Sequence, residues 1–282
     1  RQSMSPSSDF PISARQSPYR SAGFAATYDR LAVAHQFAGP GRDLVMMLDI
    51  SASCRVLDVG AGTGAATIPA VEAVGSAGFV VALDPSLEML AVLHTKCTAG
   101  VVAGEVPGLP FADSAFDAVL TNFVLSHTRD YALALADMVR VLRPNGQLGV
   151  TAWAPGGSVA SQVWRSIATK FVSEEMLAQG FRDLLPWDEW FSDPTHLQQA
   201  LAEAELQNIQ IAQRAYRISI SASDFLAMKE ASVEGRLLLE SLSWGERNQL
   251  KRQMIDSFLR RFKDRIEYTR EVHFALGTKS AP

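Results

Sequence analysis

The stretch Val56-Leu57-Asp58-Val59-Gly60-Ala61-Gly62-Thr63-Gly64 constrains this chain more than any other. An apolar run holding one acid gives way to three glycines at alternate positions, and the residues after them read as a helix. Glycine lets a ligand lie against bare backbone, where a Cβ would hold it away. The helix that follows turns its free N–H groups toward the same spot. Together these features predict a nucleotide-type binding turn at the carboxyl end of a first parallel strand, where open α/β sheets place their ligands.

Read as Gly60-x-Gly62-x-x-Ala65, the turn satisfies the dinucleotide fingerprint. Asp84 lies twenty residues past Gly64, the distance at which an acidic side chain takes both ribose hydroxyls. A carboxylate accepts two such bonds at once, and charge-assisted bonds are the stronger kind. The spacing therefore indicates a nucleoside without saying which one.

Short apolar runs and helical stretches alternate from Cys54 onward, the pattern of βαβ units and a parallel sheet. The strands are expected at 54–59, 79–83, 101–103, 116–122 and 147–153. Helices are expected at 63–74, with Pro69 as a kink, from Pro85 or Ser86 through Met89 and Leu93, and at 130–142, 158–178 and 194–204. Ahead of them, Phe24, Tyr28, Leu31 and His35 recur at helical spacing. Gly39-Pro40-Gly41 should break that helix before a second one over Asp43–Leu48. The lead-in either covers a pocket mouth or only packs on the sheet.

Residues 208–220 alternate as a strand with a bulge near Ala215-Tyr216, and residues 222–262 read as two helices broken near Ser243-Gly245. In the last strand Ile266, Tyr268, Val272, Phe274 and Leu276 share a face, with Arg270 as the exception. Residues 1–20, rich in Ser, Pro and Arg, are expected to be mobile. A single domain over 21–282 follows. It comprises lead-in helices at 21–49, a cofactor-binding core at 54–154, helical cap segments at 155–207 and 222–265, and last strands at 208–220 and 266–276.

A formal charge of -4 gives no general attraction for nucleic acid. Residues 236–270 carry nine basic and five acidic side chains, which we read as solvated helix faces. Cys54 and Cys97 stand far apart with no histidine cluster, so neither a disulfide framework nor a metal site is expected, and a reducing cytoplasm fits. No apolar run is long enough to span a membrane, and no signal peptide is expected.

The segment from Gly104 to Gly146 is more specific. Gly104-Glu105-Val106, Leu109-Pro110-Phe111, Asp113, Phe116-Asp117-Ala118-Val119, Asn122, Leu125-Ser126-His127 and Arg140-Val141-Leu142-Arg143-Pro144-Asn145-Gly146 follow in order. Together with Asp58-x-Gly60-x-Gly62-x-Gly64, the succession resembles the class I S-adenosylmethionine-dependent methyltransferases, in particular the ubiquinone/menaquinone C-methyltransferase-like (type 11) group. The resemblance covers roughly residues 21–154. It implies a doubly wound, seven-stranded, mostly parallel sheet, Rossmann-like, with an antiparallel last strand and a helical cap.

The resemblance also implies roles. Asp58, Gly60, Ala61, Gly62 and Gly64 would hold the methionine part of S-adenosylmethionine, and Asp84 the ribose. Pro85 and Met89 would border the adenine, with Glu105 and the Val106 N–H bonding its edge. Glu105-Val106 stands where relatives commonly show Asp-Ala. Asn122 and Phe123 would line the cofactor near its sulfonium. His127 is the candidate general base, although Ser126 precedes it where relatives sometimes pair two histidines. Tyr28, beside Asp29, would contact cofactor or acceptor. Trp153, Trp164, Trp187, Trp190 and Phe191 fall where such enzymes build the acceptor pocket, with core packing as the competing role.

The implied activity is methyl transfer to a small hydrophobic or aromatic molecule in biosynthesis, on oxygen first and on carbon or nitrogen of a quinone-like or natural-product acceptor as the alternative. S-adenosylhomocysteine would be the product, no metal is implied, and the protein would be a monomer or homodimer. An NAD(P)-dependent oxidoreductase and a non-catalytic S-adenosylmethionine-binding subunit are the readings from other classes.

Overall fold

The computed structural model describes residues 22–281, so the expectation for residues 1–20 lies outside the described residues. The chain opens with α1 (Ala22–Thr27), a π-helical stretch (Tyr28–Phe37) and α2 (Ala38–Met47). Then come β1 (Arg55–Val59), α3 (Thr67–Val74), β2 (Phe79–Asp84), α4 (Leu87–His94), β3 (Gly100–Ala103) and β4 (Phe116–Asn122). After a 3₁₀ turn (Leu125–His127) follow α5 (Tyr131–Val141), β5 (Leu142–Trp153), α6 (Val159–Ala168), α7 (Glu174–Leu184), α8 (Asp188–Phe191) and α9 (Pro194–Glu203). The chain ends through β6 (Leu206–Ser221), α10 (Ala222–Glu230), α11 (Val233–Glu240), α12 (Trp244–Phe262) and β7 (Arg265–Lys279).

The seven strands form one sheet in the order β3-β2-β1-β4-β5-β7-β6, parallel except for β7, which runs antiparallel to both neighbours. The doubly wound arrangement expected from the alternation of elements is the one observed. Each face carries its own core. Leu135, Met138, Phe191, Leu197 and Leu201 from α5, α8 and α9 close one side. Leu44, Leu48, Ala70, Leu90 and Leu93 from α2, α3 and α4 close the other. Burying side chains of this size contributes about 1.5–3 kcal/mol each, which is what holds helices to sheet. Local signals start the helices: Ser86 and Asp130 accept the Met89 and Leu133 N–H groups, each cap being worth about 1 kcal/mol.

A third core joins α6, α7 and α10–α12 to Leu31 of the lead-in and to Ile218, Ile220 and Ile266 of the last two strands. This lobe exists because β6 and β7 outrun the sheet. Trp153, the last residue of β5, pairs with Val272, whereas β6 and β7 remain paired as far as Ser221 and Arg265. Seven residues of β7 therefore project about 20 Å beyond the carboxyl edge of the parallel strands and carry the cap above it.

Several local expectations are corrected. Gly39-Pro40-Gly41 opens α2 instead of breaking the lead-in, because a first-turn proline needs no N–H partner. A Cβ on Gly41 would sit 2.4 Å from the Ala65 carbonyl oxygen, so glycine there serves close packing. Pro69 also falls in a first turn, of α3, and produces no kink. The bulge in β6 lies between Gln207 and Gln210, where Asn208 adopts φ of 50°. Pro144-Asn145-Gly146 bulges within β5, between the pairs Phe116–Leu142 and Ala118–Gln147. The segments 158–178 and 222–262 are divided more finely, into α6 with α7 and into α10–α12.

Candidate active site

The glycine turn leaves β1 where strand order reverses between β1 and β4, the position at which open sheets leave a crevice. Gly60 and Ala61 donate their N–H groups to the Leu83 carbonyl at 2.8 and 3.0 Å. Gly62 N–H donates to Asp84 Oδ2 at 2.9 Å, and Ser86 N–H to Asp84 Oδ1 at 2.8 Å. Asp84 thus braces the turn against the end of β2.

The three glycines do different things. Gly60, Gly62 and Gly64 have φ of 72°, 54° and 102°, a region that strains other residues. A Cβ on Gly60 would lie 2.4 Å from Val124 Cγ2, and one on Gly64 2.5 Å from Leu93 Cδ1. On Gly62 the nearest atom would be Tyr28 Cε1, at 4.0 Å. Gly62 has the most room around it, whereas Gly60, which also lines the recess, and Gly64 are demanded by packing as well.

Above the turn lies a small recess, floored by Asp58 and Gly60–Thr63 and walled by Tyr28, Val33, Phe37 and Asn122. The wall residues Tyr28, Val33 and Phe37 come from the π-helical stretch, where Ala38 N–H reaches the Val33 carbonyl five residues back. Turns of that width bring positions 28, 33 and 37 to one side, which the 3.6-residue α-helical repeat would spread apart.

Asp58 is 1% exposed. Its Oδ2 accepts from Thr67 Oγ1 at 2.6 Å, and its Oδ1 is buried without a partner. Burial pushes its pKa to about 7, with the Thr67 bond opposing and the Asp84 charge adding. Burial raises Asp84 likewise, against its two backbone bonds. A buried acidic oxygen with no donor, at the floor of a recess beside bare backbone, is where a bound ammonium would be stabilised. The donor set therefore fits the amino-acid end of S-adenosylmethionine.

An aromatic cluster adjoins this floor through Phe37. Phe37 meets Phe123 at 5.3 Å and Trp153 at 5.8 Å between ring centroids, and Phe123 stacks on Trp153 at 4.3 Å. Phe123 has φ of 61°, a strained value for a bulky residue, held by its N–H bond to Thr151 Oγ1 at 3.0 Å. Thr151 in turn donates to Asn122 Oδ1 at 2.7 Å, so the end of β4 is pinned to β5.

Residues 57–150 match the family described as the methyltransferase domain. This stretch resembles a methyltransferase domain. Over 113 residues the chain is 38% identical to a demethylmenaquinone methyltransferase of Shouchella clausii, covering 38% of this chain and 48% of that one. Over 103 residues it is 44% identical to the enzyme of that name from Mycolicibacterium vanbaalenii, covering 36% and 43%. The chain spans under half the length of these curated relatives. The fold superposes on Haemonchus contortus phosphoethanolamine N-methyltransferase 2 in complex with S-adenosyl-L-methionine with a TM-score of 0.55, at 14% identity, covering 93% of this chain and 58% of that chain.

Among the sequence-predicted residues, Asp58, Gly60, Ala61, Gly62, Asn122 and Tyr28 line the recess. Gly64 lies within the turn, and Phe123 and Trp153 lie beside the wall. Pro85 and Glu105 are exposed, and Val106 packs on the core under α5. Met89 is buried in a cluster with Phe24 and Ala25 of α1. Trp164 is 3% exposed inside the cap, beneath the Lys229 ammonium, and Phe191 is fully buried under the sheet. Neither reaches the recess, because helix packing turns them inward. Trp190 stacks on His196 at the surface, and Trp187 packs edge-on against Tyr131. No helix among the described residues is long and apolar enough to cross a membrane.

His127 ends the 3₁₀ turn above β4. Its side chain is exposed, and partial desolvation by the surrounding protein lowers its pKa. The direction of the shift favours the neutral ring at pH 7. Sequence reading missed Val33 and Phe37 of the recess, and Asp29, whose carboxylate takes the Thr63 hydroxyl and the Lys96 ammonium, each at 2.6 Å. The Tyr28-Asp29 pair was the available signal.

Proposed function

We propose that the protein is an S-adenosylmethionine-dependent methyltransferase acting on a small, flat, hydrophobic or aromatic molecule. The buried, partnerless Asp58 Oδ1 beneath the open backbone of Gly62 carries this reading. When bound, S-adenosylmethionine supplies a methyl group activated by its positive sulfur, transferred by in-line displacement. Asp58 would hold the ammonium, and Asp84, once free to accept from the ribose, would anchor the nucleoside. Pro85, Met89, Glu105 and Val106 would border the adenine after α1 moves off Met89, which it covers here. Phe37, Phe123 and Trp153 would align the acceptor and exclude water, and orientation of this kind supplies several kcal/mol of rate enhancement.

O-methylation is the primary reading. The demethylmenaquinone methyltransferases favour a carbon acceptor on a quinone-like ring, but the matched domain ends at residue 150, short of the cap and the last strands. The fold does not dictate the acceptor atom. His127, exposed at the end of the 3₁₀ turn above β4, would serve as a neutral hydrogen-bonding group toward the acceptor.

Calorimetric titration with S-adenosylhomocysteine and, separately, NADH and NADPH tests the reading. Saturable binding of the first alone is expected. The reverse result would establish a dinucleotide enzyme, and binding with no methyl transfer to any flat phenol or quinol would favour a non-catalytic subunit.

A further inference from the structure

Arg270 interrupts the apolar face of β7, and the interruption has a location. Trp153 pairs with Val272, so Arg270, two residues earlier on the same face, hangs just past the carboxyl edge of β5. Diagonal neighbours across a strand pair are within reach of long side chains, and the Arg270 guanidinium carbon lies 4.1 Å from the Trp153 ring centroid. Arginine stacks on indole in this way while its N–H fork stays available in the guanidinium plane.

The fork is not used up by the protein. Arg270 Nε is buried without a hydrogen-bond partner, and no ion pair closes on the guanidinium among the described residues. Asp188 on α8 and the Tyr268 hydroxyl influence it only through space; Tyr268 Oη accepts from Gln36 Nε2 at 3.2 Å. A half-buried cation with open donors is costly unless something pairs with it. Its neighbour Trp153 packs on Phe37, which lines the recess, so the charge is linked to the recess through two aromatic rings.

We propose that Arg270 orients the acceptor by binding an anionic oxygen, a carboxylate or a phenolate, carried on a flat ring that packs against Phe37 at the mouth of the recess. The proposal rests on the methyltransferase reading and specifies its substrate class. Neutral flat molecules of the same size bind weakly at this end. A guanidinium here also favours the ionised form of a phenol, leaving no proton for a strong base to remove, in keeping with the lowered pKa of His127.

The test uses 2-naphthoate and 2-naphthamide, which share a ring system and differ in charge, titrated into the full chain with and without saturating S-adenosylhomocysteine. Wild-type protein is expected to prefer naphthoate by about tenfold or more, the range of a charge-assisted pair. In R270Q the preference should fall below about twofold, with S-adenosylhomocysteine affinity unchanged. On the wild type, naphthoate but not naphthamide should protect Arg270 from phenylglyoxal, mapped by mass spectrometry, a readout that does not need the variant to fold. Equal binding of the two probes, a preference that survives R270Q, or protection by both alike would overturn the proposal. Failure of S-adenosylhomocysteine to bind would instead remove the methyltransferase reading and leave the naphthoate comparison to decide the subsite.

Discussion

The hydroxyl of Thr63, inside the glycine turn, donates to Asp29 Oδ1, in the lead-in helix, at 2.6 Å. Lys96, just beyond α4, reaches the same oxygen at 2.6 Å. These bonds latch the roof of the recess to its floor across 34 residues of sequence. The same roof buries Met89 beneath Phe24.

Asp29→Ala should loosen that roof without unfolding the sheet, since a hydrogen bond to a charged group contributes about 1.5–3 kcal/mol. Hydrogen exchange of residues 22–37 should accelerate by about tenfold or more, while amides of β1 and β4 stay protected. Unchanged exchange in the lead-in would show that the latch holds nothing.

Gly62→Ala and Gly60→Ala should fail in different ways. The methyl on Gly62 enters open space, so that variant folds with a loss of about 1–2 kcal/mol from its left-handed backbone but binds S-adenosylhomocysteine at least about tenfold more weakly. The methyl on Gly60 meets Val124 and should also lower the melting temperature through overpacking worth about 1–3 kcal/mol. Melting curves beside calorimetry separate the two, and wild-type affinity in Gly62→Ala would remove the ligand from that backbone.

Asp58 gives the site a pH dependence. Between the ordinary carboxylate range and about 7, the folded protein keeps a proton on Asp58 that the unfolded chain has lost. Its contribution to stability is therefore present at low pH and declines as pH rises through that window. A bound ammonium prefers the ionised carboxylate. Affinity for S-adenosylhomocysteine should accordingly climb toward pH 7, by at most about tenfold per pH unit, and then level off. Asp58→Asn should flatten the climb; an equally steep profile in that variant would assign the titration elsewhere.

His127→Ala should raise KM for the acceptor more than it lowers kcat, because a ring whose pKa is lowered gains little by taking a proton at neutral pH. The wild-type kcat should show no inflection from this residue between about pH 6 and 8. A drop in kcat beyond about tenfold, together with an inflection that the substitution abolishes, would restore His127 as the general base.

What the sequence by itself determined is whatever neighbours in the chain dictate. Alternating glycines after an apolar run specify a turn of left-handed backbone, Asp84 closes the next strand at nucleoside spacing, and period-two alternation marks β7. These signals are short-ranged, and the order of βαβ units leaves few topologies open. Which side chains meet in the recess was decided only by tertiary structure. Tyr28, Val33 and Phe37 line up because the lead-in adopts wide π turns against the glycine loop, and no 3.6-residue pattern announces that. Trp164 and Phe191 could be pocket or core by sequence, and helix packing makes both core. Arg270 was visible as a break in a pattern, yet its meaning required the register that sets Trp153 against Val272. Periodicity records which face of an element is apolar, whereas contacts between elements distant in the chain depend on register and packing, which no local stretch encodes.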